Sequence, residues 1–129
     1  VATGFMVNYQ TPVQIGITAH AGGGQANATP LTGMFCSVDT VASASDSVIL
    51  PGAVPGSFVF VLNNQASNAL QVFGQPATGS PGVSGAGDTI APSSSSTYAA
   101  TGTGVSQAAS KYALYICAIA GQWKQMISG

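Results

Sequence analysis

The stretch DSVILPGAVPGSFVFVLNNQASNALQVFG, residues 46–74, decides the fold. It holds one charged residue, Asp46, and two apolar runs broken by proline, glycine and asparagine. In SFVFVLN, Phe58, Phe60 and Leu62 alternate with Val59 and Val61, and aromatic and β-branched residues at period two specify a strand. Both faces of that strand are apolar, so either two layers cover it or one face meets a partner. SVIL reads as a shorter strand. PGAVPG is a connection, because proline cannot donate to a central ladder. NNQASN consists of side chains that tolerate tight backbone geometry, so the return through ALQVFG predicts a hairpin over residues 57–73.

Working outward, MFCSVDTV reads as a strand with Met34, Cys36 and Val38 on one side and Phe35, Ser37 and Asp39 on the other. Val13, Ile15 and Ile17 alternate over PVQIGIT as another strand. AGGGQANA is a connection, and Asn27 or Thr29 before Pro30 suits the start of a single helical turn. Residues 1–12 read as an extended arm with Phe5, Met6 and Tyr9 as anchors. Residues 75–110, rich in Gly, Ser, Thr, Pro and Ala, form a long loop region interrupted by extended pieces around DTIAP and STYAA. KYALYICAIAGQWKQMIS fits helical spacing in part. Its tyrosines and isoleucines and the turn at Ala120-Gly121 favour a hairpin instead, with Trp123, Gln125 and Ile127 opposite Lys124 and Met126. The expectation is a single all-β domain over residues 1–129. It is an antiparallel β-sandwich or jelly-roll-like fold with an extended N-terminal arm and long Gly/Ser/Pro-rich loops.

Charge is the anomaly of this chain. Charged residues make up 4% of its 129 residues, against about 25% in a typical soluble protein. They are Asp39, Asp46, Asp88, Lys111 and Lys124. Five charges are few for the roughly 6,200 Å² of surface that a monomer of this mass exposes. With a net charge of −1, little repulsion holds copies apart. The economical reading is a surface covered by copies of itself or by a partner. Two isolated lysines cannot supply the basic cluster that phosphate binding needs, which argues against nucleic acid. No apolar run approaches the roughly 20 residues of a membrane-spanning helix, which argues against a membrane.

Little in the chain suggests catalysis. His20 is the sole histidine and precedes a glycine run, as a plain loop residue would. The cysteines lack metal-ligand spacing, there is no GxSxG elbow, and three scattered aspartates make a poor source of paired carboxylates. AGGGQANA lacks the lysine of a phosphate-binding loop. No catalytic, metal or cofactor residue is therefore assigned, and an enzyme is not expected. Cys36 and Cys117 each sit in an apolar, strand-like run, which favours free buried thiols over the alternative of one bridge. Lys111 and Lys124 flank the last hairpin, where isolated lysines blunt exposed strand edges. Trp123 and the tyrosines read as core, with a sugar-stacking platform as the alternative.

Three segments together carry a resemblance: ITAHAGGGQANATPLTG, then CSVDTVASASDSVILPGAVPGSFVFVLNNQASNALQVFG, then ALYICAIAGQW. They resemble small structural proteins of tailed bacteriophage virions. That pattern has a (G/S)DSVxLP segment, a proline/alanine turn, an apolar strand, an asparagine turn with N-x-L-x-V-F, and a last strand ending in A-G-x-W. One departure is QPATGSPGVSGAG after VFG, where the pattern has a short link. The resemblance implies a capsid cement or decoration protein on the outer surface of a phage head, with the major capsid protein and itself, as a homotrimer, for partners. The alternative it implies is a fibre or receptor-binding module for host-surface glycans. It supplies no catalytic residues. The contact residues expected are Phe5, Met6 and Tyr9 of the arm, Val59 and Val61 of the central strand, and Tyr98 of the long loop.

Overall fold

The structure, a computed structural model, describes residues 12–77 and 87–129. Among the described residues every regular element is a strand. In order these are β1 (Val13–Thr18), β2 (Thr29–Pro30), β3 (Phe35–Thr40), β4 (Ser47–Ile49), β5 (Phe58–Asn63), β6 (Leu70–Phe73), β7 (Thr89–Ala91), β8 (Val105–Gln107), β9 (Tyr112–Ile119) and β10 (Gln122–Ile127). They form a six-stranded sheet in the order β1-β3-β5-β9-β10-β7 and a four-stranded sheet in the order β2-β4-β6-β8.

From β1 to β6 the chain alternates between the sheets, odd strands in one and even strands in the other. Like strands therefore lie side by side and parallel: β1 with β3 and β3 with β5, β2 with β4 and β4 with β6. This half of the chain is a flattened coil. The second half closes it with antiparallel pairs, β5 with β9, β9 with β10 and β6 with β8, while β10 and β7 run parallel. The sheets are thus mixed, and the expectation of antiparallel pairing is corrected.

The hairpin expected over residues 57–73 is corrected with it. Both flanks of β5 are taken, by β3 and β9, so β6 has no place beside it. The asparagine turn instead carries the chain to the other layer. A side chain stitches that turn to the turn one coil earlier, Asn68 Nδ2 donating to the carbonyls of Val41 (2.8 Å) and Ala42 (3.0 Å), and the backbone N–H of Asn64 donates to the Val38 carbonyl of β3 (2.9 Å). The helical turn expected near Pro30 is also absent. Thr29–Pro30 is a short strand at the edge of its sheet, a position where a residue without an N–H costs little. STYAA forms no strand, and the missed strand is the VSQ of β8. Of the long loop region expected over 75–110, residues 78–86 lie outside the described residues, as do residues 1–11 of the arm. The final hairpin stands as expected, turning at Gly121 with φ +79°.

One apolar core lies between the sheets. Val38, Val61, Tyr115, Ile90 and Trp123 enter it from the larger sheet and Val48, Leu70, Val72 and Val105 from the smaller. Gln107, Tyr115 and Gln125 are polar but buried there, and they satisfy one another. Gln107 Nε2 donates to the Val61 carbonyl (2.8 Å), Tyr115 Oη donates to Gln107 Oε1 (3.0 Å), and Gln125 Nε2 donates to Tyr115 Oη (3.0 Å). A buried network of this kind costs little when its members are paired, and it fixes how one layer sits on the other.

Candidate functional site: the outward face of the six-stranded sheet

Strand alternation leaves this sheet a second face, turned away from the core. β3, β5 and β9 as far as Cys117 keep a period of two, so Cys36, Val38, Val59, Val61, Ala113 and Tyr115 point inward while Phe35, Phe58, Phe60, Tyr112 and Leu114 point outward. In β1 the period is broken. Gly16 adopts φ +68° and the register with β3 shifts there, which is the geometry of a bulge. The bulge puts Ile17 into the core and leaves Val13 and Ile15 outward, 66% and 74% exposed.

The register aligns these side chains across the sheet. Val13, Phe35, Phe60 and Leu114 occupy one rung. The rings of Phe35 and Phe60 stack at 5.2 Å, and those of Phe60 and Tyr112 at 5.8 Å. Beside this ladder lies a shallow groove of about 120 Å³ lined by Val13, Ile15, Phe35, Ser37, Phe60 and Leu62.

Two charges lie on this face, both engaged within the chain. Asp39 accepts hydrogen bonds from Asn64 Nδ2 (2.9 Å), Ser37 Oγ (2.7 Å) and the Gly16 N–H (2.7 Å), so it clips β1 and the end of β5 to β3. These donors, Asn64 foremost, hold its carboxyl below the usual range. Lys124 Nζ donates to the carbonyls of Pro92 (2.7 Å) and Ser95 (2.5 Å). The role expected for Lys124 is therefore corrected: β10 lies between β9 and β7 rather than at an edge, and the lysine anchors a turn. Lys111 reaches the carbonyl of Gly129.

The contact residues expected from sequence fall in three groups. Phe5, Met6 and Tyr9 lie outside the described residues. Val59 and Val61 are buried between the sheets, 3% and 0% exposed, so the free side of β5 is the opposite one, that of Phe58, Phe60 and Leu62. Tyr98 is 37% exposed, in the irregular segment after β7, and does not line the groove. The side of β5 was readable only from its neighbour. Phe35 shares a side with Ser37 and Asp39, which marks that side as outward, and Phe35 pairs with Phe60.

The remaining reactive groups are placed structurally. Cys36 and Cys117 are free and buried, and burial raises both thiols above their ordinary pKa, which disfavours the reactive thiolate. The backbone of His20 pairs with Ser47. Among the described residues no three His, Cys, Asp or Glu side chains group closely enough to hold a metal ion. Comparison with protein-family models, curated proteins and solved structures found no match.

Proposed function

We propose that this chain is a structural protein of a phage virion: a cement protein that binds the outer surface of the head, bridges neighbouring major capsid proteins and assembles as a homotrimer. The observation that carries the proposal is the outward face of the six-stranded sheet, broad, apolar and free of unengaged charge. Such a face fits lasting contact with protein better than free diffusion. The resemblance in the coil segments adds the virion context. Many weak contacts repeated by the symmetry of a shell give firm attachment without strong individual sites. On this reading the chain binds rather than catalyses.

The alternative, a fibre module for host-surface glycans, draws on the exposed aromatic ladder. It is the weaker reading because a sugar stacks on an open ring face, and stacking within the ladder takes both sides of Phe60 and one side each of Phe35 and Tyr112. The deciding experiment adds purified protein to heads assembled without it and follows co-sedimentation. Saturable binding at a fixed ratio to the major capsid protein is the expected result. Failure to bind, together with saturable binding to a glycan array, would replace the cement reading with the fibre one.

A further inference from the structure

We infer that the outward face of the six-stranded sheet is where this chain packs against a second copy of itself. This rests on the self-assembly in the reading above and gives it a surface.

Size is the first argument. Val13, Ile15, Phe35, Phe58, Tyr112 and Met126 are exposed on this face. With Phe60, Leu62, Leu114 and Ile116 between them, they present on the order of 700 Å², close to one partner's share of a standard interface. That is at the upper end of, or above, the largest apolar patch of a typical monomer, about 300–600 Å².

Charge selects the occupant. Asp39 and Lys124 are the charges on the face, opposite in sign and already hydrogen-bonded within the chain. The face therefore has no pair to offer an incoming ion. An average protein surface would bring charges and leave them desolvated against phenylalanine and isoleucine, which opposes binding. A second copy brings an equally apolar face, with no unengaged charge and no net like-charge repulsion, and three such faces can gather about the axis of the proposed trimer. The groove beside the ring ladder suits such a partner as well: an apolar cavity of roughly 150 Å³ admits benzene, so about 120 Å³ receives one apolar side chain from the facing copy.

The test is sedimentation equilibrium of the full chain beside two variants. Ile15→Lys/Tyr112→Lys places charges at two of the most exposed positions of the face, 74% and 52%, outside the core. Ser106→Lys does the same on the outward side of β8, in the other sheet. The expected masses are a multiple of 12.7 kDa for the unmodified chain and for Ser106→Lys, and 12.7 kDa for the double variant with an unchanged circular dichroism spectrum. Should the double variant fail to fold, nitration of the unmodified chain serves instead. On an open face Tyr112 reacts at least as fast as Tyr98, which is 37% exposed. In the assembly Tyr112 is protected and gains reactivity on dilution. An unmodified chain that stays at 12.7 kDa, a double variant that keeps the assembled mass, or a Tyr112 that reacts freely at all concentrations overturns the inference. Head binding is scored separately: assembled protein that ignores heads sinks the cement reading and leaves this one standing.

Discussion

The two sheets share a core, but their outer faces are finished differently. Ile49 and Phe73 point outward from the four-stranded sheet and are nevertheless buried, with Ala28, under the chain's own loops. Ser47 Oγ donates to the Gly24 carbonyl (3.1 Å) and Gln25 Nε2 to the Gly74 carbonyl (2.7 Å), which holds the segment around residues 23–28 over that sheet. Gly104 lies so close to Phe73 that an added Cβ would stand 2.8 Å from its ring. Among the described residues the six-stranded sheet has no comparable cover over Phe35, Phe58 or Tyr112, all of which remain exposed. The described residues cover one apolar face with their own loops and leave the other open, which favours reading the open face as a contact surface over a packing failure.

The comparison breaks most readily at its ring residues. Phe73→Ala empties a covered site, and phenylalanine truncation in such a place costs about 3–5 kcal/mol. The expected result is a large fall in the urea midpoint that is the same at every protein concentration. Phe58→Ala acts on the open face, where 42% of the residue is exposed, and surface truncation alone stays within about 0.5 kcal/mol. Its effect is expected to grow with protein concentration, because whatever it removes belongs to the assembled state. If both variants showed the same concentration dependence, the two faces would not differ in kind.

Glycines sharpen the contrast at smaller magnitude. Gly23 and Gly16 both have left-handed φ, +72° and +68°, which costs a side chain about 1–2 kcal/mol. At Gly23 an added Cβ would also stand 2.5 Å from the Ser45 carbonyl oxygen, whereas at Gly16 it meets nothing within 4 Å. Gly23→Ala is therefore expected to destabilise more than Gly16→Ala in thermal melts, the difference being the clash with the cover. Equal losses would mean that the loop has room to give.

Acid separates the faces more gently. Asp46 belongs to the covered side: it accepts from Ser43 Oγ (2.8 Å) and from the N–H groups of Ala42 (2.8 Å), Ser43 (3.2 Å) and Gly22 (3.3 Å). The Ser43 hydroxyl above all lowers its pKa, as Asn64 does for Asp39 on the open side. A carboxyl whose folded pKa lies below its unfolded value near 3.9 contributes its full stability above about pH 4 and loses it as pH falls through the folded pKa. Urea midpoints should thus be flat near neutrality and drop below about pH 4. Asp46→Ala is expected to flatten that drop more than Asp39→Ala, since Asp46 is the more buried.

How much of this was legible in the sequence depended on whether the signal was local. The strands at Val13, Phe35, Phe58 and Tyr112 could be read because period two and β-branched or aromatic residues act within a few positions. The turn at Asn64–Asn68 was readable too, but not its destination. A tight turn allows the next strand to pair beside the last or cross to the other layer, and the occupied flanks of β5 decide, which depends on residues 35–40 and 112–119. The same holds for the open face. Val59 and Phe60 are equally apolar, and only the register that puts Phe60 beside Phe35, two residues from Ser37, tells inside from outside. β8 was missed because Val105 and Gln107, its inward residues, flank one serine in a glycine- and alanine-rich stretch.

The smallest expected effect concerns salt, and its smallness is what makes it useful. Salt screens interactions between exposed charges that lie more than about a Debye length apart, roughly 10 Å at 0.1 M, and weakens exposed pairs closer than that. A contact built on the open face has only Asp39 and Lys124 for salt to act on, each already engaged inside its own chain. Self-association should change by less than about twofold between about 50 mM and 500 mM sodium chloride, while sulfate, which strengthens apolar burial, should tighten it. A tenfold weakening in chloride would place ion pairs at the contact. The described part of the open face has no charges free to form them, so the contact would then have to lie elsewhere on the chain.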